Sequence, residues 1–231
     1  MRRFHSVTLP SAHNTVLLNT EVSHHLLRVV GIAPLEQVEL FDGQGKGCIA
    51  YLQSVQNGRA EVAWVSELFD SVALPSLTLV LSLTKGDAFG TALRMCTELG
   101  VNTFIPLQAQ RSIPKGDKHA RWSKIVSSAA GQSKRLTIPK VLPLQTWSSI
   151  WNVLSTDQSS EKWVLHTDCE QRDSITPIQK ATTIFIGPEG GFTDQELSWM
   201  AEQNCQSKTL GSFVLKADTA ALVACARALF Y

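Results

Sequence analysis

Two spacings of apolar residues divide the chain. Over residues 1–70 the apolar stretches are short and bounded by turns, at 15–18, 38–41, 48–52 and 60–65. Runs of that kind predict short strands. Asp42-Gly43-Gln44-Gly45-Lys46-Gly47 and Gln56-Asn57-Gly58 supply the hairpin connections. A short helix fits residues 23–30, and this part reads as a small β-barrel. Residues 68–75 read as a linker that ends in a proline. From residue 77 the pattern changes. Residues 77–83 form a continuous apolar run, the signature of a strand buried on both faces. A helical pattern follows over 87–99 and stops at Gly100. Further strands are expected at 103–107, 163–166, 182–186 and 207–210, with helices at 119–132, 194–203 and 219–230. Strands that alternate with helices predict an α/β layer around a mainly parallel sheet. The expected domains are therefore a barrel over 1–70 and an α/β domain over 77–231.

A hydrophobic content of 44% and a charged content of 18% fit a folded chain rather than a disordered one. No apolar run approaches the roughly 20 residues that span a bilayer. Met1-Arg2-Arg3-Phe4-His5 has no apolar stretch behind its arginines, so no secretion signal is read and a cytoplasmic location is expected. The five cysteines are scattered without a CxxC pair, which favours buried thiols over zinc or disulfides. His24 and His25 diverge from one element and nothing completes a set with them, so no metal site is expected. Trp147, Trp151, Trp163 and Trp199 lie among apolar neighbours and read as core, and Arg59 reads as surface charge.

The formal net charge of +1 conceals an uneven distribution. Between Arg111 and Lys140 eight basic residues stand against Asp117 alone, whereas residues 1–72 carry five basic and seven acidic residues. A focused basic segment fits a polyanion at one face. Charge alone fits a solvated helix face equally well.

Two loops carry the candidate chemistry. The first is Ile186-Gly187-Pro188-Glu189-Gly190-Gly191-Phe192-Thr193, in which an apolar strand enters a glycine-rich turn and leaves as a helix. Glycines there let a ligand approach the backbone closely. Thr193 and Glu196 stand at capping-box spacing. An ordinary strand-to-helix connection has the same bare pattern. The second loop, from Thr209-Leu210-Gly211 to Lys216-Ala217-Asp218-Thr219, again runs strand, glycine, irregular stretch, helix. Two such loops after successive strands suggest one ligand between them. Neither GxxxxGK[ST] nor GxGxxG is present, and Glu189 would repel phosphate. A cationic nucleoside such as a sulfonium suits the turn better.

Residues 186–196 and 210–222 closely resemble the RsmE family, the 16S ribosomal RNA uridine-N3 methyltransferases of the SPOUT superfamily. The likeness extends to Leu83-Thr84-Lys85-Gly86-Asp87, Thr97-Glu98-Leu99-Gly100-Val101, Arg121-Trp122-Ser123-Lys124-Ile125 and His25-Leu26-Leu27-Arg28-Val29, covering essentially the whole chain. It implies a PUA-like, RNA-binding β-barrel followed by a trefoil-knotted α/β methyltransferase domain. It also implies S-adenosylmethionine as cofactor, 16S rRNA or the small ribosomal subunit as substrate, and a homodimer. Neither membrane nor metal is expected as a partner.

Carried over by position, the cofactor pocket should involve Leu165, His166, Ile186, Gly187, Glu189, Gly190, Gly191, Leu210, Gly211, Leu215 and Thr219. Lys216 and Asp218 take the catalytic positions. The family usually reads Leu-Arg-x-Glu-Thr where this chain has Leu215-Lys216-Ala217-Asp218-Thr219, and lysine lacks the fork of arginine. Arg3, His25, Arg28, Arg111, Lys115, Lys118, Arg121, Lys124 and Arg135 are the expected RNA contacts. Two alternatives stand beside this reading: an RNA-binding protein that keeps the fold with weakened or lost catalysis, and a related methyltransferase for another RNA.

Overall fold

The computed structural model describes residues 1–69, 74–113, 116–155, 161–166 and 174–230. It divides into two units, Met1–Ala73 with Ala130–Ile138, and Leu74–Ala129 with Pro139–Tyr231. Part of the expected linker, residues 70–73, lies outside the described residues.

The first unit contains strands β1 (Arg3–His5) and β2 (Thr15–Leu17), helix α1 (Thr20–His24), and strands β3 (Gln37–Phe41), β4 (Gly47–Gln56) and β5 (Arg59–Leu68). Asn19 caps α1, its side chain accepting from the Val22 N–H at 2.8 Å. The chain continues through the wider turns of a π-helix over His25–Val30. In the β3–β4 hairpin the Asp42 carboxylate accepts from the N–H groups of Gln44 and Lys46, at 2.7 and 3.0 Å. Phe4, Leu26, Leu40, Leu52 and Val62 fill the core. The sheet order is β1-β3-β4-β5-β2, with β1 parallel to β3 and the other pairs antiparallel. β1 and β2 are its two edges, and among the described residues no ladder joins these three-residue strands. The segment Ala130–Ile138 joins this unit through Thr137, which bridges Gly43 and Gln44, and through the Gly45 N–H on the Leu136 carbonyl. Arg59 is not loose surface charge. Its guanidinium donates to the carbonyls of Leu18 and Leu17, at 2.8 and 3.1 Å.

The second unit runs β6 (Leu77–Ser82), α2 (Ala88–Leu99), β7 (Thr103–Leu107), α3 (His119–Gln132), β8 (Lys140–Val141), α4 (Trp147–Leu154), β9 (Glu161–Leu165), β10 (Thr182–Ile186), α5 (Asp194–Glu202), β11 (Gln206–Lys208) and α6 (Ala217–Phe230). Its sheet has the order β11-β9-β10-β6-β7-β8 and every pairing is parallel. β6, where the continuous apolar run lies, is buried at every position but Thr78, and all five residues of β10 beside it are buried, Thr182 and Thr183 included, as in strands covered on both faces. Val80, Ile105, Val164 and Phe185 pack with Ile150 of α4 and Met200 of α5. The alternate positions Leu79, Leu81 and Ile184 are also buried, and α6, which packs on α2, lies against β6 and β10. From β6 the chain steps outward to β7 and β8, then crosses to β9 and β10 on the other side. The strand order therefore reverses at β6 and β10, where open parallel sheets leave a crevice at the carboxyl ends.

Candidate functional site

At the carboxyl ends of β9, β10 and β11 the structure holds a cleft of about 270 Å³. Ten of the eleven residues expected around a cofactor line it: Leu165, His166, Ile186, Gly187, Glu189, Gly190, Gly191, Leu210, Gly211 and Leu215. Thr219 does not. The last helix begins at Ala217, earlier than the expected 219, so Ala217 and Ala220, one turn apart, face the cleft while Thr219 is exposed.

The turn after β10 is shaped locally and then held by distant groups. Gly191 has φ 68° and donates its N–H to the Pro188 carbonyl at 2.8 Å. That left-handed conformation favours glycine. At Gly187 a Cβ would stand 3.3 Å from the Phe192 ring. Thr193 and Glu196 form the expected capping box, with bonds of 2.8 Å from the Thr193 N–H and 3.3 Å from the Glu196 N–H. Glu196 is buried, and its other oxygen accepts from the Gln110 N–H at 2.7 Å and the Trp147 indole at 2.6 Å. The carboxylate thus fastens the start of α5 to α4 and to the loop after β7. In that same loop, Arg111 donates to the Gly190 carbonyl at 2.7 Å and the Phe192 carbonyl at 3.4 Å. Glu189 accepts from the Lys85 N–H at 2.7 Å, clipping the turn to the loop after β6.

The second wall is looser. Gly211 has φ 143°, and Thr209 bonds its own loop through the Gly211 N–H and carbonyl, at 3.4 and 3.2 Å. Phe213 and Val214, both apolar and both lining the cleft, are 86% and 81% exposed.

A second cavity, of about 390 Å³, adjoins the first and is lined by Lys85, Asp87, Ala88, Thr91, Glu189, Lys216, Ala217 and Asp218. Glu189 and Ala217 line both spaces. Lys216 and Asp218 are thus brought together in a charged chamber beside the cleft rather than inside it.

The expected RNA contacts separate into different environments. Arg111 is a wall of the cleft. Lys118, Arg121 and Lys124 are exposed at spacing three at the start of α3, and Arg121 meets Asp87 at 3.3 Å. Lys115 lies outside the described residues. In the first unit, His25 and Arg28 are exposed, His25 edge-on to Phe4, and Arg135 is half-buried. Arg3 is committed locally: it pairs with Glu39 at 2.9 Å, both side chains nearly buried, and donates to the Lys134 carbonyl. Among the described residues no group of three or more His, Cys, Asp or Glu is placed to hold a metal ion. No described helix is long and apolar enough to cross a membrane.

Phe213, Val214 and Ala217 fall within the stretch 210–219 that the resemblance places at the pocket, whereas sequence reasoning missed Phe192, Lys208, Thr209 and Ala220 as lining residues. The signal for Ala220 was its one-turn spacing from Ala217. For Lys208 and Thr209 it was the end of β11, which falls at Lys208 and not at the expected 210.

A glycine-walled cleft at the carboxyl ends of parallel strands, beside a chamber of charged side chains, places the chain among α/β proteins with a nucleotide-type ligand site at the reversal of strand order. The RNA methyltransferase domain model matches residues 72–229. The chain is 33% identical over 221 residues to ribosomal RNA small subunit methyltransferase E of Synechocystis sp., covering 92% of this chain and 72% of that protein. It is 29% identical to the Bacillus subtilis protein of the same name, covering 91% and 88%. The crystal structure of ribosomal RNA small subunit methyltransferase E from Neisseria gonorrhoeae bound to S-adenosyl methionine superposes with a TM-score of 0.88 at 34% identity, covering 98% of this chain and 95% of that one. The chain belongs to the ribosomal RNA small subunit methyltransferase E (RsmE) family.

Proposed function

We propose that the protein transfers a methyl group from S-adenosylmethionine to N3 of a uridine in 16S rRNA, acting as a homodimer. The observation that carries this is the junction at Glu189 and Ala217, where a cofactor-sized cleft opens beside a chamber that holds Lys216 and Asp218. The cleft fits the cofactor chemically. Exposed backbone of the glycine turn suits the adenine edge, Ile186, Leu210 and Leu215 suit its faces, and carboxylate-bearing Glu189 suits a positive centre. When bound, S-adenosylmethionine supplies an electrophilic methyl carbon on a sulfonium.

The chain itself supplies position and charge. Asp218 accepts the N3 proton of the uracil, and the Lys216 ammonium stabilises the imidate charge that develops on the adjoining carbonyl oxygen. The walls hold donor and acceptor in adjacent spaces, which removes much of the entropic cost of bringing them together. The uridine has to leave its stack to enter the chamber. Exposed Lys118, Arg121 and Lys124 hold the phosphates around it. The first unit acts as a PUA-like RNA-binding module, with His25 and Arg28 on its surface. A second copy covers the exposed Phe213 and Val214.

The test is to incubate the purified protein with S-adenosylmethionine and small-subunit RNA and map the modification. Methylation at N3 blocks the pairing edge of uracil and stops reverse transcription at one nucleotide. A stop at a single uridine, lost in Lys216→Met while cofactor binding persists, is the expected result. Methylation of another base, or none by folded protein that binds cofactor, refutes the reading.

A further inference from the structure

We propose that the pocket between the first turn of α2 and the start of α3 binds one phosphate group of the substrate RNA. This rests on the RNA methyltransferase reading and adds a site beyond the cleft that shares Asp87 with the charged chamber. The pocket is lined by Thr84, Asp87, Gly90, Lys118, Arg121 and Trp122, among others. Its volume is about 40 Å³. Roughly 10–15 Å³ admits one water, so the space takes a small oxyanion and excludes a base.

Four observations converge on an anion. Thr84 is only 1% exposed, yet its hydroxyl oxygen has no hydrogen-bond partner. A buried hydroxyl without a partner is uncommon and calls for one. Lys118 and Arg121 bring two cations to the rim against the single carboxylate of Asp87. Asp87 stands at the N-cap of the twelve-residue helix α2 but makes no side-chain cap bond. The first-turn N–H groups of α2 are thus left without a side-chain acceptor, and that end of a helix attracts negative charge. Asp87 instead meets Arg121 at 3.3 Å in a pair whose side chains are 78% and 65% exposed, so a phosphate can take Arg121 from it at little cost.

Gly90 completes the cradle. Glycine is a poor helix former, yet it occupies the first turn of α2. A Cβ there would stand 3.2 Å from the Asp87 carboxylate and 3.4 Å from Ile125, both of which line the pocket with Gly90. The free backbone at Gly90, the Thr84 hydroxyl and the two cations together suit a tetrahedral oxyanion. A phosphodiester beside the flipped uridine is the source we assign.

The experiment uses the full-length protein with Thr84→Val and Gly90→Ala, read by RNA affinity, S-adenosylmethionine affinity and melting temperature. Thr84→Val keeps the shape and removes the hydroxyl, and Gly90→Ala fills the cradle while favouring the helix. Each is expected to weaken RNA binding about ten-fold, as for one lost charge-assisted contact, with cofactor affinity and melting temperature kept or raised. Wild-type RNA affinity in both variants would overturn the proposal. So would a fall in melting temperature with unchanged RNA affinity, which marks a structural role. Inorganic phosphate, at chloride-matched ionic strength, should displace RNA from the wild type more than from Gly90→Ala. If phosphate stabilises only the wild type while both bind RNA equally, the pocket takes free phosphate and the RNA assignment falls. Methyl transfer is scored separately: wild-type protein that binds RNA through this pocket and transfers no methyl refutes the enzymatic reading and leaves the pocket standing.

Discussion

The Trp147 indole donates to the Glu196 carboxylate at 2.6 Å, linking the first residue of α4 to the first turn of α5 across 49 positions of sequence. The same oxygen accepts from the Gln110 N–H, and its partner oxygen accepts from the Thr193 N–H. Glu196 therefore serves three donors while buried. Glu196→Gln sets an NH₂ against at least one of them, whichever way the amide turns. The expected loss is about 1–3 kcal/mol, as for a buried donor left without an acceptor. At about 2–4 °C per kcal/mol for a chain of this size, thermal unfolding resolves it. Trp147→Phe removes one donor, leaves the other two satisfied, and should cost less. A Gln variant that melts with the wild type would show that the carboxylate is not what fastens these elements.

Arg111 was expected to touch RNA, yet its guanidinium holds the glycine turn through Gly190 and Phe192. A lysine keeps the charge and loses the fork. Arg111→Lys should weaken S-adenosylmethionine binding about ten-fold, the equivalent of one good hydrogen bond, and leave the salt dependence of RNA binding unchanged. Lys124→Ala should do the reverse, lowering the salt slope by about 1 with cofactor affinity intact. Cofactor titration and RNA binding at several salt concentrations separate the two. Because lysine keeps the charge, Arg111→Met is the check on the other role: a salt slope lowered by about 1 with cofactor affinity spared would place Arg111 on the RNA after all.

These two residues show where the sequence was legible. The capping box of Thr193 and Glu196, the buried run of β6 and the glycine turn are local patterns, and local patterns determine local conformation. That Glu196 also reaches Gln110 and Trp147 depends on how three elements converge, which no spacing encodes. Helix α4 has no counterpart among the expected elements, although its apolar positions 147, 150, 151 and 154 have helical period. β1 and β8 are three and two residues long, too short for alternation to register. The segment 130–138 sits between residues of the second unit in sequence and packs in the first, a topological fact invisible to composition.

The offset start of α6 has a consequence for the cleft. Thr219 is exposed and its N–H bonds the neighbouring Asp218 carboxylate at 2.9 Å, whereas Ala220 lines the cleft. Thr219→Ala should leave cofactor affinity within about two-fold, since surface substitutions of this kind stay within about 0.5 kcal/mol. Ala220→Leu places about three carbons in the ligand space and should weaken the cofactor by at least about ten-fold, the scale of overpacking. Equal losses in both variants would place the first turn of α6 in a different rotation.

Burial sets the reactivity of the described thiols. Desolvation pushes Cys48 from 9.0 to about 11 and Cys205 from 9.0 to about 12, in the second case against the attraction of Lys162. Cys96 is raised by its hydrogen bond to Cys225 and by burial. A thiol held above its unfolded value is stabilising while it stays protonated. That contribution is complete below about pH 9 and is lost as pH rises through the folded value, here from about 9 towards 11 for Cys48. With Cys169, outside the described residues, replaced by serine, alkylation by iodoacetamide at pH 8 should be slow, because only about one Cys48 in a thousand is a thiolate there. The rate should climb about ten-fold per pH unit up to pH 11, and the melting temperature should begin to fall above pH 9. Cys48→Ala should blunt that fall without abolishing it, since Cys205 and Cys96 remain. Rapid labelling of Cys48 at pH 8 in the folded protein would mean that β4 opens to solvent far more readily than its buried packing allows.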